Sequence, residues 1–490
     1  MIKITRKITR LMRGAVLARR ACVPLTVMLA VVTALSLFAT PLPAQEKKPS
    51  PPPDFNLTAG GDVMIVTSLA PRQSDPEFMG VVNAVRKGDA AVLNLEGTFA
   101  GEDAYPIADS GVTWMASDPE RLKDLQWMGF NLFSAANNHS VDFGIQGLLD
   151  TLRVFKQAGA VYAGIGRNLF EARAPGYLTT THGRVALVSC ASTFAPEGPA
   201  GQARPDMRGR PGLSALHHET IYRVDAATFD AMRKMKQSFQ PGGDQAGAGG
   251  AQSLKFTFEG AGPVTFELAS EPSVITKPNP RDMADITRHI QDAKEMADYV
   301  VAFMHAHEQA PGSIEVPAQF VVEYAHAAID AGADVFAATG PHLLRGIEIY
   351  KSKVIMYSLG NLIFENDLVL PQPSDLYQAY GLGLDALPSE VFDMRSNHDR
   401  SWWPAEPKDW ESVIANVAFH NGIPREVTLT PITLGYGELR PDRGHPKLAN
   451  PVMSAKILER LQKLSQPYGT NIVIKNGVGT ITIEQPNSMK

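Results

Sequence analysis

The sequence predicts a layered α/β fold, and three observations carry that expectation. Apolar runs of strand length alternate with segments of helical period along most of the chain. Several of those runs stop at Asp, Glu, Asn or His, the placement expected where an open α/β sheet gathers ligands outside its strand ends. The 490 residues are 44% hydrophobic and 20% charged, enough apolar material for a large core.

The N-terminus stands apart. Residues 1–44 carry Lys3, Arg6, Lys7, Arg10, Arg13, Arg19 and Arg20 and no acid, followed by an apolar run from Ala21 to Ala44. A basic stretch, an apolar stretch and a small-residue end at Ala44 read as an export signal, or as a retained membrane anchor if uncleaved. Residues 45–54 contain the proline-rich EKKPSPPP and read as a linker. Without the seven cations, 46 − 7 = 39 basic residues face 51 acidic ones, a net of −12. An acidic body argues against non-specific nucleic-acid binding. Two cysteines, Cys22 and Cys190, exclude a disulfide scaffold. Cys190 sits in an apolar run and reads as a buried strand thiol.

The main domain is expected over 55–366. Strands are predicted at Asn56–Val66, with a break at Gly60-Gly61, at Ala90–Leu95, Asn131–Ala135 and Val185–Ser189, and a helix at Gly144–Ala158. Proline and glycine cluster in Pro196–Gly212 and Pro241–Gly250, so 195–280 reads as an insertion or lid, with a helix near Asp225–Phe239 and hairpin-like alternation over Leu254–Leu268. The α/β rhythm then resumes with a helix at 281–297, a strand at Tyr299–Met304, a helix at Pro317–Ala331 and a strand at Asp334–Ala338. Adjacent late strands at Gly346–Tyr350 and Val354–Tyr357 point to a partly mixed sheet. Residues 367–490 form a C-terminal extension, with a helix near Met453–Leu464 and a hairpin at Asn471–Ile474 and Val478–Ile483.

Asp62 follows LTAGG, Glu96 follows AVLNL, Asn138 and His139 follow LFSAA, His305 and His307 follow VVAFM, and His342 follows VFAATGP. Carboxylate, amide oxygen and imidazole together suit Mn, Fe, Zn or Mg rather than a thiolate-seeking metal. Each residue alone also fits a plain role. Gly-Gly-Asp serves as a turn, and Asn138, His139 and Asp142 serve as caps of the following helix. His305 and His307 share one side of a strand, either in a pocket or on a solvated rim.

The segments GGDVMIV, NLEGTF, AANNHSVDFGIQGLLDTL, AGADVF, GPHLLRGIEIY and VIMYSLGNLIF resemble the bacterial CapA family, which is associated with capsule and poly-γ-glutamate synthesis. The resemblance spans about Leu57–Phe364 and implies a layered α/β/β/α sandwich similar to the calcineurin-like metallophosphatases. It makes Asp62, Glu96, Asn138, His305, His307 and His342 metal ligands for one or two divalent ions. It makes His139 a general acid or oxyanion stabiliser, with Asp142 orienting its ring. The phosphatase pattern has a histidine where Met64 stands, an aspartate where Glu96 stands and a histidine where Thr339 stands. Fewer imidazoles imply one ion or a weakly held pair.

Two functions are open from the sequence. One is a metal-dependent hydrolase or transferase acting on an envelope polymer or phosphoester. The other is a non-catalytic component of a polymer assembly machine, binding poly-γ-glutamate, a capsule precursor or membrane synthase subunits through a degenerate site. Arg208, Arg210 and Arg345 are candidates for local anion binding, with surface solvation as the plain alternative. A glycosidase using Glu96 with Asp62 or Asp142 ranks last, because it leaves the histidines without a role.

Overall fold

The computed structural model describes residues 54–110, 113–239, 252–256 and 264–485. The segments read as an export signal and a linker, before Asp54, and the glycine-rich stretch Pro241–Gly250 lie outside these residues. Among the described residues no helix is long and apolar enough to cross a membrane.

Two sheets organise the domain. The first runs, in spatial order, Val473–Lys475, Val478–Thr482, Ile423–Thr433, Glu411–His420, Phe55–Met64, Ala90–Leu95, Leu132–Ser134 and Val161–Ala163. Its strands from Phe55 to Ala163 are parallel, and those after Glu411 are antiparallel. The second runs Ile347–Tyr350, Lys353–Met356, Val335–Thr339, Tyr299–His305, Gly183–Ala191 and Gly176–Thr180, parallel in the middle and antiparallel at both edges. The expected mixed sheet is therefore present, and it arises in both layers.

Period-two alternation explains the layering. Tyr299, Val301 and Phe303 share a core with Leu57, Ala59 and Val92 of the first sheet. The intervening Val300, Ala302 and Met304 pack instead on Ile286, Ile290, Phe320 and Tyr324, from the helices Pro280–Met296 and Gln319–Asp330. On the far side, Ala91 and Leu93 meet Phe78, Val82, Leu122 and Leu148 of three further helices. Helix, sheet, sheet and helix thus stack in four layers. Phe55 and Tyr299 stack across the inner seam with ring centroids 4.1 Å apart. Cys190 is buried on its strand, where desolvation pushes the thiol up to about 12.

The insertion carries a sheet of its own, ordered Ser253–Phe256, Val264–Leu268, His218–Val224 and Ser273–Pro278, with the helix Ala226–Phe239 beside it. Its first two strands are antiparallel, as the alternation over 254–268 requires. This sheet meets the helical layer, where His218 stacks on Phe320 at 4.3 Å and Phe320 N donates to Thr276 Oγ1 at 3.1 Å.

The break anticipated at Gly60-Gly61 marks a change of neighbour. Residues 55–59 pair with the Glu411–His420 strand, whereas 62–64 pair in parallel with Asn361–Phe364. A Cβ at Gly61 would lie 2.0 Å from the Gly360 carbonyl oxygen, so the crossover requires glycine. Asp62 N donates to that same carbonyl at 2.9 Å, which seats the carboxylate at the strand end.

Candidate functional site

Asp62 is fully buried and held from three directions. Asn94 Nδ2 donates to its Oδ1 at 2.7 Å, Gly340 N donates to its Oδ2 at 3.1 Å, and His305 Nδ1 lies 3.5 Å from Oδ1. Burial by itself would raise this acid, but His305 and His342 outweigh it and hold Asp62 well below its ordinary value. Gly340 is another position where the chain has no room, because a Cβ there would meet the Ala306 backbone at 2.7 Å.

Glu96 differs sharply. It is buried, and neither carboxylate oxygen has a hydrogen-bond partner among the described residues. Burial, with the charges of Asp62 and Asp142 nearby, pushes it well above the ordinary carboxylate range. Three imidazoles face Glu96 Oε1: His305 Nε2 at 3.5 Å, His139 Nε2 at 4.0 Å and His342 Nε2 at 4.0 Å. His305 Nε2 also faces His307 Nε2 at 3.0 Å. Enclosure in the cleft, beside His305 and His342, pushes the His307 imidazole well below its ordinary value. Asn138 Oδ1 is a third buried acceptor without a donor. Ligand atoms of Glu96, His305 and His307, and those of Asp62, Glu96 and His342, lie within 4.8 Å of one another in each group. Buried oxygens without donors, beside imidazole nitrogens, form a donor set able to hold a divalent cation.

His139 is arranged differently from the other imidazoles. Its Nδ1 lies 2.7 Å from Asp142 Oδ2, while its Nε2 turns toward Glu96. Asp142 is itself fixed, accepting Met115 N at 2.7 Å and Ser110 Oγ at 3.1 Å. The capping alternative for Asp142 does not hold, because the helix begins at Gly144 with Phe143 at its N-cap. An Nδ1–H given to the carboxylate leaves Nε2 as the ring nitrogen that faces the centre.

The two arginines lie elsewhere. Arg210 is exposed and donates to the Pro199 carbonyl at 2.9 and 3.1 Å. Arg345 is buried and donates to Ile314 O at 2.9 Å and His307 O at 3.3 Å, so it buttresses the His307 turn. Arg208 is exposed. Two amides that sequence reasoning left without a role belong to the centre. Asn94 ties Asp62 to His305, with Nδ2 3.1 Å from His305 Nδ1. Asn361 Oδ1 lies 2.9 Å from His342 Nδ1, and its Nδ2 donates to His342 O and Asp409 O. Those two donations fix the amide's orientation, so His342 carries its proton on Nδ1 and turns a bare Nε2 inward. Asn94 had a legible signal, standing two residues before Glu96.

A two-sheet α/β protein with a buried cluster of acids and imidazoles at its strand ends is the class that fold and site define. The profile described as "Bacterial capsule synthesis protein PGA_cap" matches residues 56–366, and the chain belongs to this CapA family of capsule and poly-γ-glutamate synthesis proteins. The protein y4sH of Sinorhizobium fredii is 35% identical over 441 residues, covering 88% of this chain and 93% of its own. "Capsule biosynthesis protein CapA" of Bacillus anthracis is 26% identical, covering 66% of this chain and 63% of its own. "PGA biosynthesis protein CapA" of Bacillus subtilis is 25% identical, covering 62% and 61%.

Proposed function

We propose that the protein is an exported factor in the assembly of an acidic envelope polymer, such as poly-γ-glutamate or a capsule precursor. Its buried centre would hold one or two divalent ions (Mn, Fe, Zn or Mg) and hydrolyse or transfer a bond of that polymer or of a phosphoester. The names of the Bacillus relatives support the polymer, and the basic and then apolar N-terminus supports export. The four-layer arrangement supports kinship with the calcineurin-like metallophosphatases. The observation that carries the reading is Glu96, a buried carboxylate with both oxygens bare beside inward-facing imidazoles. A buried acid in that state costs several kcal/mol unless a cation completes it, by order of magnitude.

Asp62, Glu96, Asn138, His305, His307 and His342 would hold the cation, which when bound supplies Lewis acidity and a lowered pKa for water. Asn94 and Gly340 keep Asp62 aimed, while His305 and His342 keep it ionised. Asn361 keeps the His342 Nε2 lone pair turned inward. His139 transfers a proton at Nε2 to the leaving group, and Asp142 stabilises the ring while it is charged.

One observation favours the second reading, a non-catalytic subunit of a membrane synthase complex. Met64, where the phosphatase pattern has a histidine, is packed among Met115, Phe364 and Trp410, so that side of the centre has an apolar wall. Elemental analysis of residues 45–490, beside Asp62→Asn, decides between them. Near-stoichiometric metal in the wild type that is lost in Asp62→Asn supports the hydrolase. Failure of both proteins to take up metal after reconstitution would leave only the binding role.

A further inference from the structure

Arg395 lies outside the family match, on the helix Pro388–Ser396, and is 5% exposed. Among the described residues no carboxylate comes within ion-pair range of it. Its Nη1 is taken by neutral oxygens, Thr113 Oγ1 and, at 3.3 Å, Asn366 Oδ1. The nearby acid Asp367 is engaged by Arg440 and Arg443. Arg395 Nε is buried without an acceptor, and the indole N–H of Trp403, whose ring lies 4.1 Å beneath the guanidinium, is likewise without one. Burial lowers Arg395 to about 10, which leaves it charged at neutral pH. A guanidinium held by Nη1 alone keeps its Nε and Nη2 edge for a ligand, and that edge matches the two oxygens of a carboxylate side-on.

Two chains of contact join this group to the catalytic centre. The Thr113 carbonyl accepts Ser110 Oγ at 3.0 Å, and Ser110 Oγ with Met115 N holds Asp142, and hence His139. Trp403 packs on Phe364, which packs on His342, with centroids 6.0 and 5.3 Å apart. Trp402 beside it is 56% exposed, so the arginine lies just inside the surface.

We infer that Arg395, backed by Trp403, is a carboxylate-binding subsite that seats an acidic side group of the polymer beside the centre. This rests on the preceding section for the substrate class only. The test is calorimetric titration of the full chain with a γ-linked glutamate trimer and, separately, with inorganic phosphate, in wild type, Arg395→Met, Arg395→Lys and Asp62→Asn. Tryptophan emission is followed in parallel, since Trp402 and Trp403 adjoin the site.

The trimer should bind wild type and still bind Asp62→Asn, weaken about tenfold or more in Arg395→Met, and weaken in Arg395→Lys, which keeps charge but loses the planar fork. Should Arg395→Met fail to fold, Arg395→Lys with an unchanged Tm carries the test. Undiminished affinity in the folded variants would overturn the subsite, as would no binding by wild type at millimolar trimer. Phosphate binding in place of the trimer, with the same dependence on Arg395, would overturn the carboxylate assignment. Weakening by Arg395→Met that persists in metal-free protein keeps the subsite even where the elemental analysis finds no metal, so the two readings fail separately.

Discussion

Two glutamates buried near the same strand ends make opposite use of burial. Glu365 is saturated: its Oε2 accepts Val66 N at 2.6 Å and Thr67 N at 2.8 Å, and its Oε1 accepts Thr67 Oγ1 at 2.6 Å and meets His445 Nε2 at 2.7 Å. Glu96 has no such donor on either oxygen. Burial raises both acids, but at Glu365 the His445 imidazole and the Thr67 and Val66 donors outweigh it and draw the acid below its ordinary 4.5. A carboxylate satisfied by the protein pins a loop, whereas one left bare is available for chemistry.

The widest separation of the two roles is expected at His139. Once a substrate is found among phosphoesters and γ-glutamyl oligomers, His139→Asn, which keeps an N–H donor toward Asp142, should lower kcat by roughly 10²–10⁴ with little change in Tm. A matching fall in Tm would move His139 to the structural side.

Glu365→Ala should do the reverse, costing about 3–5 kcal/mol in urea unfolding because it strands His445 and two backbone donors, while the metal content of folded protein stays unchanged. Metal loss without destabilisation would erase the distinction between the two glutamates.

Acid should expose Glu365 as well. Its folded pKa lies below the unfolded one, so its contribution is complete above about pH 4.5 and disappears as pH falls through the folded value. Chelator-treated wild type should therefore lose more stability below pH 4.5 than Glu365→Gln does. Parallel curves would show that Glu365 ionises alike in both states.

The smallest effect is expected from Glu96→Gln. In chelator its stability should stay within about 0.5 kcal/mol of wild type, since burial and the charges of Asp62 and Asp142 already favour the uncharged acid, and added Mn or Zn should no longer raise its Tm. A metal-free loss of stability instead would place Glu96 beside Glu365.

This contrast was only half legible in the sequence. Asp62, Glu96, His305 and His342 stood out because each ends an apolar run, and a strand delivers its terminal side chain to the sheet edge. The partners of Glu365 did not, since Thr67 precedes it by 298 residues and His445 carries no local pattern. Asp142 allowed two roles at one spacing, because a residue two before a helix and three after a histidine suits either cap or ring partner. The start of the helix at Gly144 decides for the ring. Arg345 looked like a candidate for an anion because nothing local reveals that the Ile314 and His307 carbonyls surround it.

The pairing of Phe55 with Phe419 also bears on how the chain is made. The first of the described strands finds its antiparallel neighbour only after some 350 further residues have followed. The inner seam, with Phe55 stacked on Tyr299, likewise waits on distant sequence. Such closure over long separations is slow and leaves an apolar strand edge open meanwhile. A fragment cut at the end of the family match would keep Asp62, Glu96 and every histidine of the centre. It would still leave residues 55–59 as an unpaired edge, inviting association with other chains.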